Sequence, residues 1–155
     1  MNKTEHKRWL LYCRPGFEPD CAQEALRQAK RQKPLAGITQ ADMIEGSGYV
    51  VIPLNGQILS WRELIFARQV IRVHHVIDAL PERDRLTPIL DAVASLPGTF
   101  GTLWLEVPDT NDGKTLSGFI KRFRPLLEEN LRAAGRLADD RKLPRLHIFF
   151  PDKNQ

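Results

Sequence analysis

The segment Arg8-Trp9-Leu10-Leu11-Tyr12-Cys13-Arg14-Pro15-Gly16-Phe17-Glu18 constrains the fold more than any other stretch of the chain. Its apolar first half reads as a strand. Pro15 and Gly16 then set a sharp turn, because proline fixes φ and glycine tolerates positive φ. The helical pattern of residues 20–33 follows at once. A helix opening after such a turn presents free N–H groups, and a cation beside them is the chemistry of a phosphate contact. Arg14 is that cation. The plainer alternative is an economical strand-to-helix turn with a solvated arginine.

The order of elements carries the reading further. A strand at residues 8–13 precedes a helix at 19–32, and two extended runs follow at 37–45 and 49–54. Gly46-Ser47-Gly48 joins those runs as a hairpin turn. Residues 61–66 form a short apolar segment with helical character, and 68–80 read as a strand rich in Val and Ile. Thr87 and Pro88 then open a helix that runs to Leu96, as N-cap and first helical residue. A strand at 102–107, a long helix at 114–134 and a strand at 146–150 complete the chain. The expected class is α+β, with two small subdomains meeting near residues 55–66 and a division into 1–60 and 61–155.

The long helix is amphipathic. Leu116, Phe119, Ile120, Phe123, Leu126, Leu127 and Leu131 share one face. Lys114, Lys121, Arg122, Arg124, Glu128, Glu129 and Arg132 occupy the other. Pro125 is expected to kink it and Gly135 to cap its end. Arg136, Arg141, Lys142 and Arg145 continue the cationic run. Residues 114–145 hold nine Lys or Arg against four Asp or Glu, an excess larger than the net +4 of the whole chain. A charged helix face is often only solvated. Concentration of cations that persists beyond the helix end favours a surface that follows phosphates. The candidate phosphate-contacting residues are therefore Arg14, Lys121, Arg122, Arg124, Arg141, Lys142 and Arg145.

Catalytic and metal patterns are near-misses. Gly113-Lys114-Thr115 follows a strand and opens a helix, but Pro108 stands where a phosphate-binding loop needs glycine. The acidic run 109–113 lacks the glycine and the closing carboxylate of a calcium loop. His74 and His75 are adjacent in a strand and point to opposite faces. No Gly-x-Ser-x-Gly elbow occurs, and Gly46-Ser47-Gly48 joins two strands rather than a strand and a helix. No catalytic, cofactor-binding or metal residue is assigned. Cys13 and Cys21 lack the spacing of a redox pair and read as small buried hydrophobes. No apolar run reaches the roughly 20 residues of a membrane span, and residues 1–8 lack a signal-peptide core, so a cytoplasmic protein without a membrane partner is expected.

Five blocks carry a resemblance to a known family. They are residues 10–18 (LLYCRPGFE), 64–69 (LIFARQ), 84–89 (DRLTPI), 106–111 (EVPDTN) and 146–150 (LHIFF). In this order, over about residues 8–150, the chain resembles the N-terminal part of RlmM-type methyltransferases, which modify a cytidine ribose 2′-hydroxyl in large-subunit ribosomal RNA. The resemblance implies a ferredoxin-like domain followed by a THUMP-like, RNA-binding domain. It implies ribosomal RNA as a partner, met before the large subunit is fully assembled. It also implies S-adenosylmethionine as the cofactor of a separate catalytic domain, whose glycine-rich loop and catalytic lysine have no counterpart here. The expected role is an RNA-targeting module. The competing role is a protein-interaction domain that docks on its own enzyme domain or on another protein.

Overall fold

The computed structural model describes residues 7–33, 41–54 and 56–152. The chain divides into two compact units. The first comprises Met1–His74 with Pro108–Thr110, and the second His75–Val107 with Asn111–Gln155.

In the first unit, β1 (Lys7–Tyr12), β2 (Asp42–Met43), β3 (Tyr49–Leu54) and β4 (Gln69–Val73) form an antiparallel sheet of order β2-β3-β1-β4. Helix α1 (Glu18–Gln32) lies against it. Alternation decides which residues meet the helix: Trp9, Leu11 and Cys13 from β1 and its end, with Val50, Ile52 and Leu54 from β3, are buried with Cys21, Ala22, Ala25 and Ala29 of α1. Small residues on that helix face let it approach the sheet closely. The unit is ferredoxin-like. A 3-10 turn at Trp61–Glu63 stands where a second helix is usual in that motif.

The expected turn forms. Phe17 N–H donates to the Arg14 carbonyl at 3.0 Å, and Gly16 takes φ 95°. Proline second and a positive-φ glycine third make this a type II turn. The hairpin between β2 and β3 also forms around Gly46 and Gly48, both at positive φ. Part of its expected first run, residues 37–40, lies outside the described residues.

The division expected at residues 60 and 61 is corrected. The strand predicted over 68–80 shortens to β4, which pairs antiparallel with β1 from Arg8↔Val73 to Tyr12↔Gln69. Its hydrogen bonds therefore belong to the first sheet, and the boundary moves to His74–His75. Residues 57–67 are held on α1 by a row of side chains four apart. Gln32 exchanges hydrogen bonds with the Ile58 N–H and carbonyl, and Gln28 does so with Ser60. Glu24 accepts from the N–H groups of Ile65, Phe66 and Ala67 at 2.7–3.1 Å. Three successive turns of helix thus satisfy a segment with no strand of its own.

In the second unit, β5 (Thr102–Glu106) and β6 (Arg145–Phe149) pair in parallel from Thr102↔Arg145 to Glu106↔Phe149. An isolated bridge, Phe100↔Leu137, precedes them. Leu103, Leu105 and Leu146 pack with Ile89 and Val93 of α2 (Leu86–Ala94) and with Phe123, Leu127 and Leu131 of α4 (Ser117–Ala133). The long helix expected over 114–134 is two pieces. A short α3 (Asn111–Thr115) stops before Leu116, and α4 continues from Ser117. Gly113 and Gly118 flank the break, and glycine is a weak helix former. Helix α4 runs on through Pro125. Leu126, placed with the apolar face by its phase, is 46% exposed. It falls at the border of the apolar face, where one step of helical phase decides burial.

The expected caps divide. Gly135 at φ 70° closes α4, with the Arg136 N–H reaching the Leu131 carbonyl and the Gly135 N–H reaching that of Arg132. At α2, Thr87 is not the N-cap. The helix begins at Leu86, and Asp84 accepts the Thr87 N–H at 3.0 Å. Thr87, through its hydroxyl and then its N–H, holds the Asp84 carboxyl below the usual range.

Candidate nucleic-acid interface

The turn at Arg14 is not an open anion cradle. The Glu18 side chain is fully buried and folds back into it, accepting the Gly16 N–H at 2.9 Å and the Gly48 N–H at 3.0 Å. The chain's own carboxyl group fills the place where free donors were expected. Arg14 is exposed beside it.

The other six candidate cations lie in the second unit, on both sides of its strand pair. Lys121, Arg122 and Arg124 belong to α4, which covers the strand face carrying Leu103 and Leu105. Arg145 lies in register with Thr102 on the opposite face. Arg124 is committed to structure: it donates to the Leu103 carbonyl at 2.7 Å and pairs with Glu128 at 3.0 Å. Arg122 donates to the Gly118 carbonyl at 3.2 Å. Arg132 is neutralised by Asp139 at 2.8 Å, and its guanidinium holds the Asp139 carboxyl below the usual range. Arg136 ties the C-terminal end of α2 through the carbonyls of Val93 and Leu96. Among the described residues, Lys121, Arg141, Lys142 and Arg145 make no ion pair.

The segment bearing Arg141 and Lys142 is fixed by close backbone packing. Gly101 N–H donates to the Pro144 carbonyl at 2.9 Å, and Ala138 N–H to the Phe100 carbonyl at 2.9 Å. A Cβ on Gly101 would stand 1.8 Å from the Asp140 carbonyl oxygen. Lys142 N–H donates to Asp140 Oδ1 at 2.9 Å.

Beyond this segment, the open face of the strand pair carries residues that charge counting missed. Trp104 sits opposite His147 in the ladder, and the two rings stack with centroids 5.9 Å apart. The Arg145 guanidinium lies 5.2 Å from the Trp104 ring centroid. His147 Nδ1 donates to Glu106 Oε1 at 2.9 Å. Trp104 remains 45% exposed. The signal in the sequence was the alternation of Thr102-Leu-Trp-Leu-Glu106 against Arg145-Leu-His-Ile-Phe149, which puts Trp, His and Arg on one face when the strands pair.

The turn after β1 is filled by Glu18, and the connection after β5 holds Pro108, Asp109 and Thr110 without a glycine-rich loop. Among the described residues, no three His, Cys, Asp or Glu side chains gather as metal ligands, and no helix is long and apolar enough to cross a membrane. His74 and His75 are both exposed.

Comparison with known proteins gives a consistent picture. The family model described as RlmM ferredoxin-like domain matches residues 6–71, and the model described as ribosomal RNA large subunit methyltransferase M, N-terminal, matches residues 84–155. A ribosomal RNA large subunit methyltransferase M from Laribacter hongkongensis is 46% identical over 149 residues, covering 95% of this chain and 41% of that protein. One from Xylella fastidiosa is 42% identical over 150 residues, covering 91% and 42%. The chain thus spans about two fifths of the length of these curated relatives. The crystal structure of TrmN from Thermus thermophilus shares the fold, with TM-score 0.51 and 20% identity, over 93% of this chain and 42% of that one.

Proposed function

As the chain belongs to the family of N-terminal regions of ribosomal RNA large subunit methyltransferase M, we propose that it is the RNA-targeting module of such an enzyme. On this reading the second unit is a THUMP-like domain. It delivers large-subunit ribosomal RNA, before subunit assembly is complete, to a catalytic domain that methylates a cytidine 2′-hydroxyl. S-adenosylmethionine and the reacting groups belong to the portion of the relatives that this chain does not span.

One observation carries the reading: Arg141, Lys142 and Arg145 are cations without ion pairs, on a segment locked to the end of β5. Cations fixed in place but not neutralised attract a polyanion. Lys121 and Arg122, across the strand pair, and Arg14, in the first unit, are secondary contacts. Recognition through phosphates and shape suits structured RNA, whose deep groove hides its bases.

Salt-dependent binding to a fragment of unmodified ribosomal RNA tests this. Charge reversal at Arg141 and Lys142 together should weaken binding and flatten the salt slope by roughly 0.7–0.9 per lost contact. Charge reversal at Lys121 and Arg122 should do less, and at Arg27 and Lys30 on α1 least. Equal losses in all three would mean that only net charge matters. Absence of salt-sensitive binding at low ionic strength would favour the protein-docking role.

A further inference from the structure

We propose that the open face of the β5–β6 pair is a stacking site for an unpaired nucleobase, built by Trp104, Arg145 and His147. The proposal rests on the RNA-binding reading and adds a contact that cations alone do not provide.

A tryptophan whose only role is packing is normally covered. Trp104 is nearly half exposed on a strand whose other face is fully used by the core. Its orientation is nonetheless fixed. His147 stacks on it from the adjacent strand, and Glu106 holds His147 through a 2.9 Å hydrogen bond. The His147 side chain is only 10% exposed and that of Glu106 26%, so this support is largely removed from water. Rigid aromatic surface costs little ordering entropy when a ligand settles on it. An apolar protein partner is a poorer fit, because a guanidinium lies against the ring. Arg145 lies over the indole, and Arg141 and Lys142 precede it by a few residues. An aromatic plane with a guanidinium beside it complements a base joined to phosphates. A double helix keeps its bases stacked inside and cannot use such a plane. An unpaired loop or strand end can.

The test uses the full chain with two probes, a short single-stranded oligoadenylate and an RNA duplex of equal length, and with heparin as a base-free polyanion. Trp104→Ala should weaken oligoadenylate binding roughly tenfold, within the range seen when one stacking aromatic is lost. Affinity for duplex and heparin, and the salt slope, should stay unchanged. Trp104→Phe should recover most of the loss, since it keeps a ring in place. Unchanged oligoadenylate binding in Trp104→Ala would overturn the stacking site and leave the phosphate contacts standing. So would equal losses for duplex and heparin, which would trace the effect to charge or folding. If the unsubstituted chain binds duplex but not oligoadenylate, the stacking site alone fails. If it binds no RNA, the targeting role fails with it.

Discussion

At the scale of single residues, two buried groups decide what the first unit can do. Glu18 converts a potential anion site into a closed turn, because its carboxylate takes the Gly16 and Gly48 N–H groups that an incoming phosphate would need. Glu18→Ala should leave these two amides unpaired and cost about 1–3 kcal/mol for each one that water cannot reach. Chemical denaturation measures that loss, and an unchanged midpoint would show that water satisfies the turn instead. Cys13 and Cys21 are the second case. Burial pushes the Cys13 thiol from 9.0 up to about 11 and raises Cys21 further. Both thiols should therefore ignore a thiol reagent at mildly alkaline pH until the protein is unfolded, when both react. The sign for stability follows. Below about pH 9 the thiols are protonated in folded and unfolded chains alike, so pH has no effect through them. Between about 9 and 11 the unfolded chain releases protons that the folded one retains, and stability falls as pH rises. Urea titrations across that window check this, and a flat profile would contradict the burial of the pair.

At the scale of elements, the second unit depends on α4 seating Phe123 against the strands. Phe123→Ala should destabilise by roughly 3–5 kcal/mol, read as a lowered denaturation midpoint. Phe123 is buried and packs on Phe119 and Phe150 with ring centroids 5.1 and 6.3 Å away, which leaves little room for collapse into the gap. Gly101→Ala should be as damaging for a different reason: backbone, not a flexible side chain, occupies the space of the new methyl group. The same comparison explains what could be read in advance. The Pro15-Gly16 turn, the Gly135 cap and the core face of α4 were legible because each depends on local stereochemistry or on a 3.6-residue period. The owner of β4 was not, since strand pairing is a long-range choice that Val and Ile content does not encode. Nor was the role of Glu24, Gln28 and Gln32, whose spacing of four is visible but whose partners are backbone groups about 26 to 43 residues away. Of the candidate cations, charge alone could not separate Arg124, which serves the fold through the Leu103 carbonyl, from Lys142, whose ammonium has no described ion pair.

At the scale of the molecule, the chain combines a ferredoxin-like unit with a second unit whose unpaired cations are split by a strand pair. That division bears on how an enzyme of this family would use it. On the proposed reading, a module that only positions RNA needs affinity without chemistry, and the second unit offers exposed cations that no described ion pair neutralises. The turn after β1 is filled by Glu18, and the connection after β5 holds no glycine-rich loop. The chain also spans only about two fifths of the relatives named for methyl transfer. The isolated chain should accordingly neither bind S-adenosylmethionine in calorimetry nor transfer a tritiated methyl group to unmodified ribosomal RNA. It should still compete with a full-length relative for that RNA, lowering the relative's rate at limiting substrate, and excess RNA should relieve the inhibition. A chain that docked on the catalytic domain instead would inhibit without relief by added RNA. Stoichiometric cofactor binding by these 155 residues would overturn the proposal that the chemistry belongs to the part of the relatives this chain does not span.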